Sequence, residues 1–174
     1  MKNKLPFAVY QTDGITLAKR LLGCRLVHET PEGRCGGIIV ETEAYMGLTD
    51  DAAHSYRGNP NGRVNVQYGP GGFAYIYLIY GLHWLFNIVT GEKDFPQAVL
   101  IRALEKPWDG PAKWTRAFSV TGAQNGIYLP DSEEIWLEEG NALSYTAAPR
   151  VGIDYAREPW KSIPWRFIAA EGGK

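Results

Sequence analysis

Two cysteines, Cys24 and Cys35, are all the chain contains in 174 residues, too few for a disulfide framework. Cys24, His28 and Cys35 match no zinc spacing and lack a fourth ligand, so no metal is expected, and no cofactor. No apolar run approaches the roughly 20 residues that span a bilayer. The N-terminal stretch MKNKLPFAVYQTDG lacks the apolar core of a secretory signal. These absences predict a cytoplasmic chain with reduced thiols and no membrane partner. An excess of one charge is also lacking, because 18 basic residues face 19 acidic ones for a net charge of −1. Bulk charge therefore does not announce a nucleic-acid binder. The distribution says more: Asp131, Glu133, Glu134, Glu138 and Glu139 share one short block without a basic residue, and outside it 18 basic residues meet 14 acids.

Aromatic residues are plentiful, at 13%. With 45% apolar and 21% charged residues, the chain has the make-up of one globular domain, residues 1–174, with a sizeable core. Asp13-Gly14 followed by ITLAKRLLG predicts a short helix that Gly23 ends in a left-handed cap. CRLVHE and GGIIVETEAY read as strands joined by a turn at Pro31-Glu32-Gly33. Thr49 to Ala53 resembles the start of a helical turn, and RGNPNGRVNVQYGPGG reads as an ordered surface loop. FAYIYLIY and HWLFNIVTG flank Gly81-Leu82 as a hairpin, AVLIRALE is a further strand, and IWLEE, RVGID and WRFIA supply more β structure. The class is α+β: a single domain with a curved, largely antiparallel sheet, flanking short helices and a protruding hairpin.

Four features ask for chemistry. The strand GGIIVETEAY ends in two acids, Glu41 and Glu43; alternation puts Ile39, Glu41, Glu43 and Tyr45 on one face and Val40, Thr42 and Ala44 on the other. Either the strand leaves the core after Val40 and both acids are solvated, or one acid sits at a pocket where it deprotonates a water. His54, after two alanines, is a structural histidine or a ligand contact. The hairpin aromatics are core, or the tip residue Tyr80 is a wedge of the kind inserted between DNA base steps. Arg102, in an otherwise apolar strand, needs a buried partner, and Glu41 and Glu43 are the candidates.

In order along the chain, IIVETEAYMG, DDAAHS, AYIYLIYGLHWLFNIV, VLIRALE, GPAK, RVGID and WRF resemble the alkyladenine DNA glycosylases, the 3-methyladenine glycosylases of the mammalian type, from about Pro6 to Ala169. The resemblance implies a monofunctional DNA repair N-glycosyl hydrolase, monomeric and nucleoid-associated. Its partner is double-stranded DNA with damaged purines: 3-methyladenine, 7-methylguanine, hypoxanthine or ethenoadenine. It also implies roles residue by residue. Glu43 becomes the base that activates water, Arg102 helps hold that water, and Val151 offers it a backbone carbonyl. Tyr45, His54 and Tyr77 sandwich the flipped base, Asn87 rejects the exocyclic amine of guanine, and Tyr80 fills the gap left in the duplex. Two departures stand out. The loop before the hairpin carries Arg63-Val64, Gln67-Tyr68 and Gly69-Pro70-Gly71 instead of the family's Arg-Asn, Met-Phe and Gly-Pro-Pro. A segment of a few dozen residues that usually follows LIRALE is missing, so that GPAK begins at Gly110. Both point to a reduced contact surface for DNA.

Overall fold

A computed structural model describes residues 2–170, so the outer ends of the expected domain 1–174 lie outside the described residues. Eight strands form one antiparallel sheet: β1 (Arg25–Thr30), β2 (Gly33–Tyr45), β3 (Ala74–Ile79), β4 (His83–Thr90), β5 (Gln97–Leu104), β6 (Ile135–Glu138), β7 (Tyr145–Ala148) and β8 (Arg166–Ala169). The main path runs β3-β4-β5-β2-β1-β6, with β8 added to β2 and β7 to β8. Three short helices, α1 (Phe7–Tyr10), α2 (Gly14–Arg20) and α3 (Pro111–Ala117), complete the α+β architecture expected from the sequence.

Alternation along four strands gives the sheet two different faces. Ala74, Ile76, Phe86, Ile88, Val99, Ile101 and Ala44 join the main core with Leu17 and Ala18 of α2 and Trp114 of α3. Thr42 belongs to this face too and donates its hydroxyl to the Ala18 carbonyl at 2.8 Å. Tyr75, Tyr77, Leu85, Asn87, Leu100 and Arg102, the intervening residues, line a cleft on the other face.

The long strand β2 organises the rest. Its first half pairs with β1, and its second half lies between β5 and β8. Register shifts flank Glu41 in the β5 pairing, the mark of a β-bulge. A bulge inserts one residue and reverses the alternation beyond it. That corrects the parity expectation: Ile39 is buried in the main core, whereas Glu43 and Tyr45 belong to the cleft side.

Asp13 caps α2 by accepting from the Thr16 amide at 2.9 Å. Gly23 follows with φ +94°, and a Cβ there would lie 1.8 Å from the Asn141 carbonyl oxygen, so glycine is required on both counts. Three segments differ from expectation. The helical turn near residue 49 is a 3₁₀ turn over Gly47–Thr49, because the Asp50 carboxylate accepts from the Met46 and Ala52 amides and closes the chain there. The loop before the hairpin contains a 3₁₀ helix, Gly62–Tyr68, whose tight three-residue turn has no apolar periodicity to betray it. RVGID is a loop rather than a strand: Arg150 and the Val151 amide bond to side chains and carbonyls of the cleft instead of to a neighbouring strand.

Candidate active site

A single row of Cα partners crosses five strands: Tyr75 on β3, Asn87 on β4, Leu100 on β5, Glu43 on β2 and Arg166 on β8. Sheet register thus sets Glu43 beside the aromatic wall of the hairpin. The adjoining cleft measures about 540 Å³. Tyr45, His54, Tyr77, Asn87, Arg102, Val151 and Tyr80 all line it, so the structure gathers seven of the eight residues singled out from sequence around one opening. The eighth, Glu43, lies behind them with no exposed surface.

Glu43 is held from several directions. Its Oε2 accepts the Tyr45 hydroxyl at 2.7 Å, and its Oε1 accepts the Val151 amide at 3.0 Å. The Arg102 guanidinium approaches Oε1 to 3.6 Å. Burial drives the carboxyl above its ordinary value, against the opposing pull of Tyr45, Val151, Arg102 and Arg150. At Val151 the group engaged with Glu43 is the N–H rather than the carbonyl.

The other acid has a different place. Glu41 Oε1 meets Arg102 Nε at 3.1 Å and an Arg166 terminal nitrogen at 3.0 Å. Arg102 therefore meets both carboxylates, as its position in an apolar strand implied. Glu41 holds the far side of the guanidinium, while the near side reaches Glu43.

Across the cleft, His54 Nδ1 lies 3.0 Å from the Tyr75 hydroxyl, and its ring meets Tyr77 at 4.5 Å between centroids. The low-polarity surroundings hold its imidazole below the ordinary histidine value, with Arg63 adding repulsion. Its side chain is exposed on the cleft side. Asn87, only 4% exposed, donates its amide to the Tyr75 carbonyl at 3.2 Å. Tyr80, at the hairpin tip, is 85% exposed.

Sequence reasoning missed the support behind these residues. Arg150 and Asp50, both fully buried, form a two-point ion pair at 2.6 and 2.9 Å. Arg150 also donates to the Ala44 and Trp160 carbonyls and packs its guanidinium over Tyr45, 4.8 Å from the ring centre. This pair anchors the 150–152 loop that brings the Val151 amide to Glu43. The only sequence signal was an arginine at the start of the RVGID block, 100 residues from its partner. Arg63, noted in sequence only as part of a departing loop, lies 5.4 Å from the Tyr77 ring; the exposed Tyr155, which donates its hydroxyl to the Ala52 carbonyl at 2.7 Å, did not stand out beforehand.

The arrangement can grip a flat, electron-poor ring between aromatic walls and present a buried carboxylate beside a guanidinium. Comparison with known proteins identifies the family. The family model described as methylpurine-DNA glycosylase matches residues 8–108 and 106–172. Its two parts meet where the chain turns from β5 into α3, at the position of the missing segment. A protein of Desulfitobacterium hafniense (strain Y51) is 43% identical, with 91% of each chain covered. One from Borreliella afzelii (strain PKo) is 41% identical over 93% of both chains. One from Bacillus subtilis (strain 168) is 40% identical over 95% of this chain and 93% of its own. All three are provisionally named 3-methyladenine DNA glycosylase. The chain belongs to the methylpurine-DNA glycosylase family, and through that membership it is a glycosylase hydrolase.

Proposed function

We propose that this enzyme excises alkylated or deaminated purines from double-stranded DNA, namely 3-methyladenine, 7-methylguanine, hypoxanthine and ethenoadenine, with a water activated by Glu43. The observation that carries the reading is a buried carboxylate, braced by Arg102 and Val151, directly behind an aromatic cleft.

A base inside a duplex is out of reach until it is flipped, at a cost of a few kcal/mol that is smallest for damaged bases. Tyr80 enters the vacated space and restacks the neighbours, offsetting part of that cost. The extruded purine slides between Tyr45 and the His54–Tyr77 pair, where a cationic alkylated ring gains attraction to the aromatic faces. Neutral His54 remains able to accept or donate one hydrogen bond without repelling that cation. Asn87 forms the floor and excludes the exocyclic amine of guanine.

The attacking water lies between the Arg102 guanidinium, the Val151 carbonyl and Glu43 Oε1. Glu43 takes its proton as the water oxygen bonds to C1′ of the sugar. The electron pair of the glycosidic bond leaves with the base. The sugar carries positive charge in the transition state, which a fixed carboxylate stabilises. No lysine lines the cleft among the described residues, so the chemistry runs through water without a covalent imine.

One observation favours a second reading. Glu43 has no exposed surface, and both its oxygens are bonded within the protein, which also suits a damaged-DNA binder without turnover. The enzyme should release hypoxanthine or 3-methyladenine from a duplex under single-turnover conditions, as read by chromatography of the free base. Tight binding to an abasic-site analogue with no release of any of the four bases would favour the binder.

A further inference from the structure

The geometry points to the Tyr45 hydroxyl as the group that keeps Glu43 an aimed carboxylate, beyond the role of the Tyr45 ring as a wall of the cleft. This positioning role rests on the reading of Glu43 as the base that activates water.

A wall needs only the ring, which phenylalanine would supply equally well. Tyr45 adds a hydroxyl that donates to Glu43 Oε2 at 2.7 Å, the shorter of the two hydrogen bonds the carboxylate accepts. Burial, and then the charge of Glu43, hold the phenol well above its ordinary value, so the hydroxyl remains a donor at every working pH. A donor to the charged form favours that form, whereas burial of the carboxylate opposes it. The bond also fixes Oε2 toward the protein and leaves Oε1 on the side of Arg102 and Val151.

Other charged or titratable groups surround the carboxylate without duplicating this contact. Arg102 on β5 is the nearest cation, at 3.6 Å, and Glu41 on β2 competes for it at 3.1 Å. Arg166 on β8 is taken up by Glu41 and the Pro149 carbonyl. Arg150 from the loop between β7 and β8 is spent on Asp50 and on backbone carbonyls. Tyr77 on β3 and Tyr155 feel the charge of Glu43 but do not hydrogen-bond it. Arg150, pinned by Asp50, packs on the Tyr45 ring from behind and fixes the direction in which the hydroxyl points.

The test is Tyr45→Phe, read as the pH dependence of single-turnover base release. Without the hydroxyl, Glu43 becomes easier to protonate, so the acid limb of the profile moves to higher pH. The ratio of wild-type to variant rate should rise by about tenfold as pH falls from the alkaline plateau through the acid limb. A ratio that stays constant across pH would reduce Tyr45 to a packing role and overturn the inference. Should the phenylalanine variant not fold, 3-fluorotyrosine at position 45 supplies a stronger donor that must move the limb to lower pH; an unmoved limb overturns the idea equally. Glu43→Gln run alongside separates the two levels. If that variant keeps full rate, the base assignment itself fails. If it is inactive while Tyr45→Phe is flat in pH, only the role of the hydroxyl fails.

Discussion

Glu43, the proposed base, is buried at a cost to the fold. Its carboxyl is raised in the folded state chiefly by burial, with the hydrogen bonds and the two arginines compensating only in part. A group whose folded value exceeds its unfolded one favours folding most at low pH, and that advantage is lost as pH rises through the folded value. At pH 8 the ionised side chain therefore weighs against stability. Glutamine has nearly the same shape, can still accept the Val151 amide, and carries no charge. Glu43→Gln should raise the melting temperature at pH 8 by about 2–4 °C, corresponding to roughly 1 kcal/mol in a chain of this size, with the gain shrinking toward pH 5. Calorimetry at the two pH values checks it, and a lower melting temperature at pH 8 would mean the pocket is built to prefer the charge. Behind it, Asp50 is bound to Arg150 at two points. Removing one partner of such a pair typically costs about 3–5 kcal/mol.

Among the elements, the hairpin β3–β4 and the strand β2 divide the work. The hairpin tip turns through Tyr80 at φ 53° and Gly81 at φ 66°, and it leaves Tyr80 and Leu82 85% and 74% exposed. A tyrosine in left-handed backbone, held away from every core residue, contributes nothing evident to the fold. Tyr80→Ala should leave the melting temperature within about 1 °C of wild type. It should lower kcat/KM for base release by about tenfold or more, since an aromatic stack on a base contributes about 1–3 kcal/mol. Unaltered kcat/KM would remove Tyr80 from the flipping step. The hairpin and its tip were legible in sequence, because strict alternation around a glycine leaves few alternatives. So were helix α2 and its glycine cap. The bulge in β2 was not: nothing in Val40-Glu41-Thr42 marks an extra residue, and the shift shows only once β5 supplies a partner strand. RVGID misled for a related reason, because its composition suits a strand while its backbone serves Glu43.

On the scale of the whole molecule, a net charge of −1 conceals a separation. The acidic block lies on and around β6, at the opposite end of the sheet path from the hairpin. Several of its acids are answered locally: Glu133 pairs with Lys2 and Lys4, and Glu139 with Arg20. Arg63, Lys113 and Arg116 are exposed nearer the cleft, on the 3₁₀ segment and on α3. The chain shortens the path from β5 to α3 to the turn Glu105–Gly110 and still delivers Arg102 to its two carboxylates. The residues that gather at the cleft were named in advance because a familiar order of motifs carried them. The Arg150–Asp50 anchor was not, since no local pattern links residues so far apart. In the proposed mechanism one buried carboxylate activates the water. The most direct measurement is the single-turnover rate of base release from hypoxanthine-containing duplex by Glu43→Gln, with binding to an abasic-site analogue measured on the same preparation. The rate should fall by at least about 100-fold with binding retained. A variant that releases the base at the wild-type rate would contradict the mechanism.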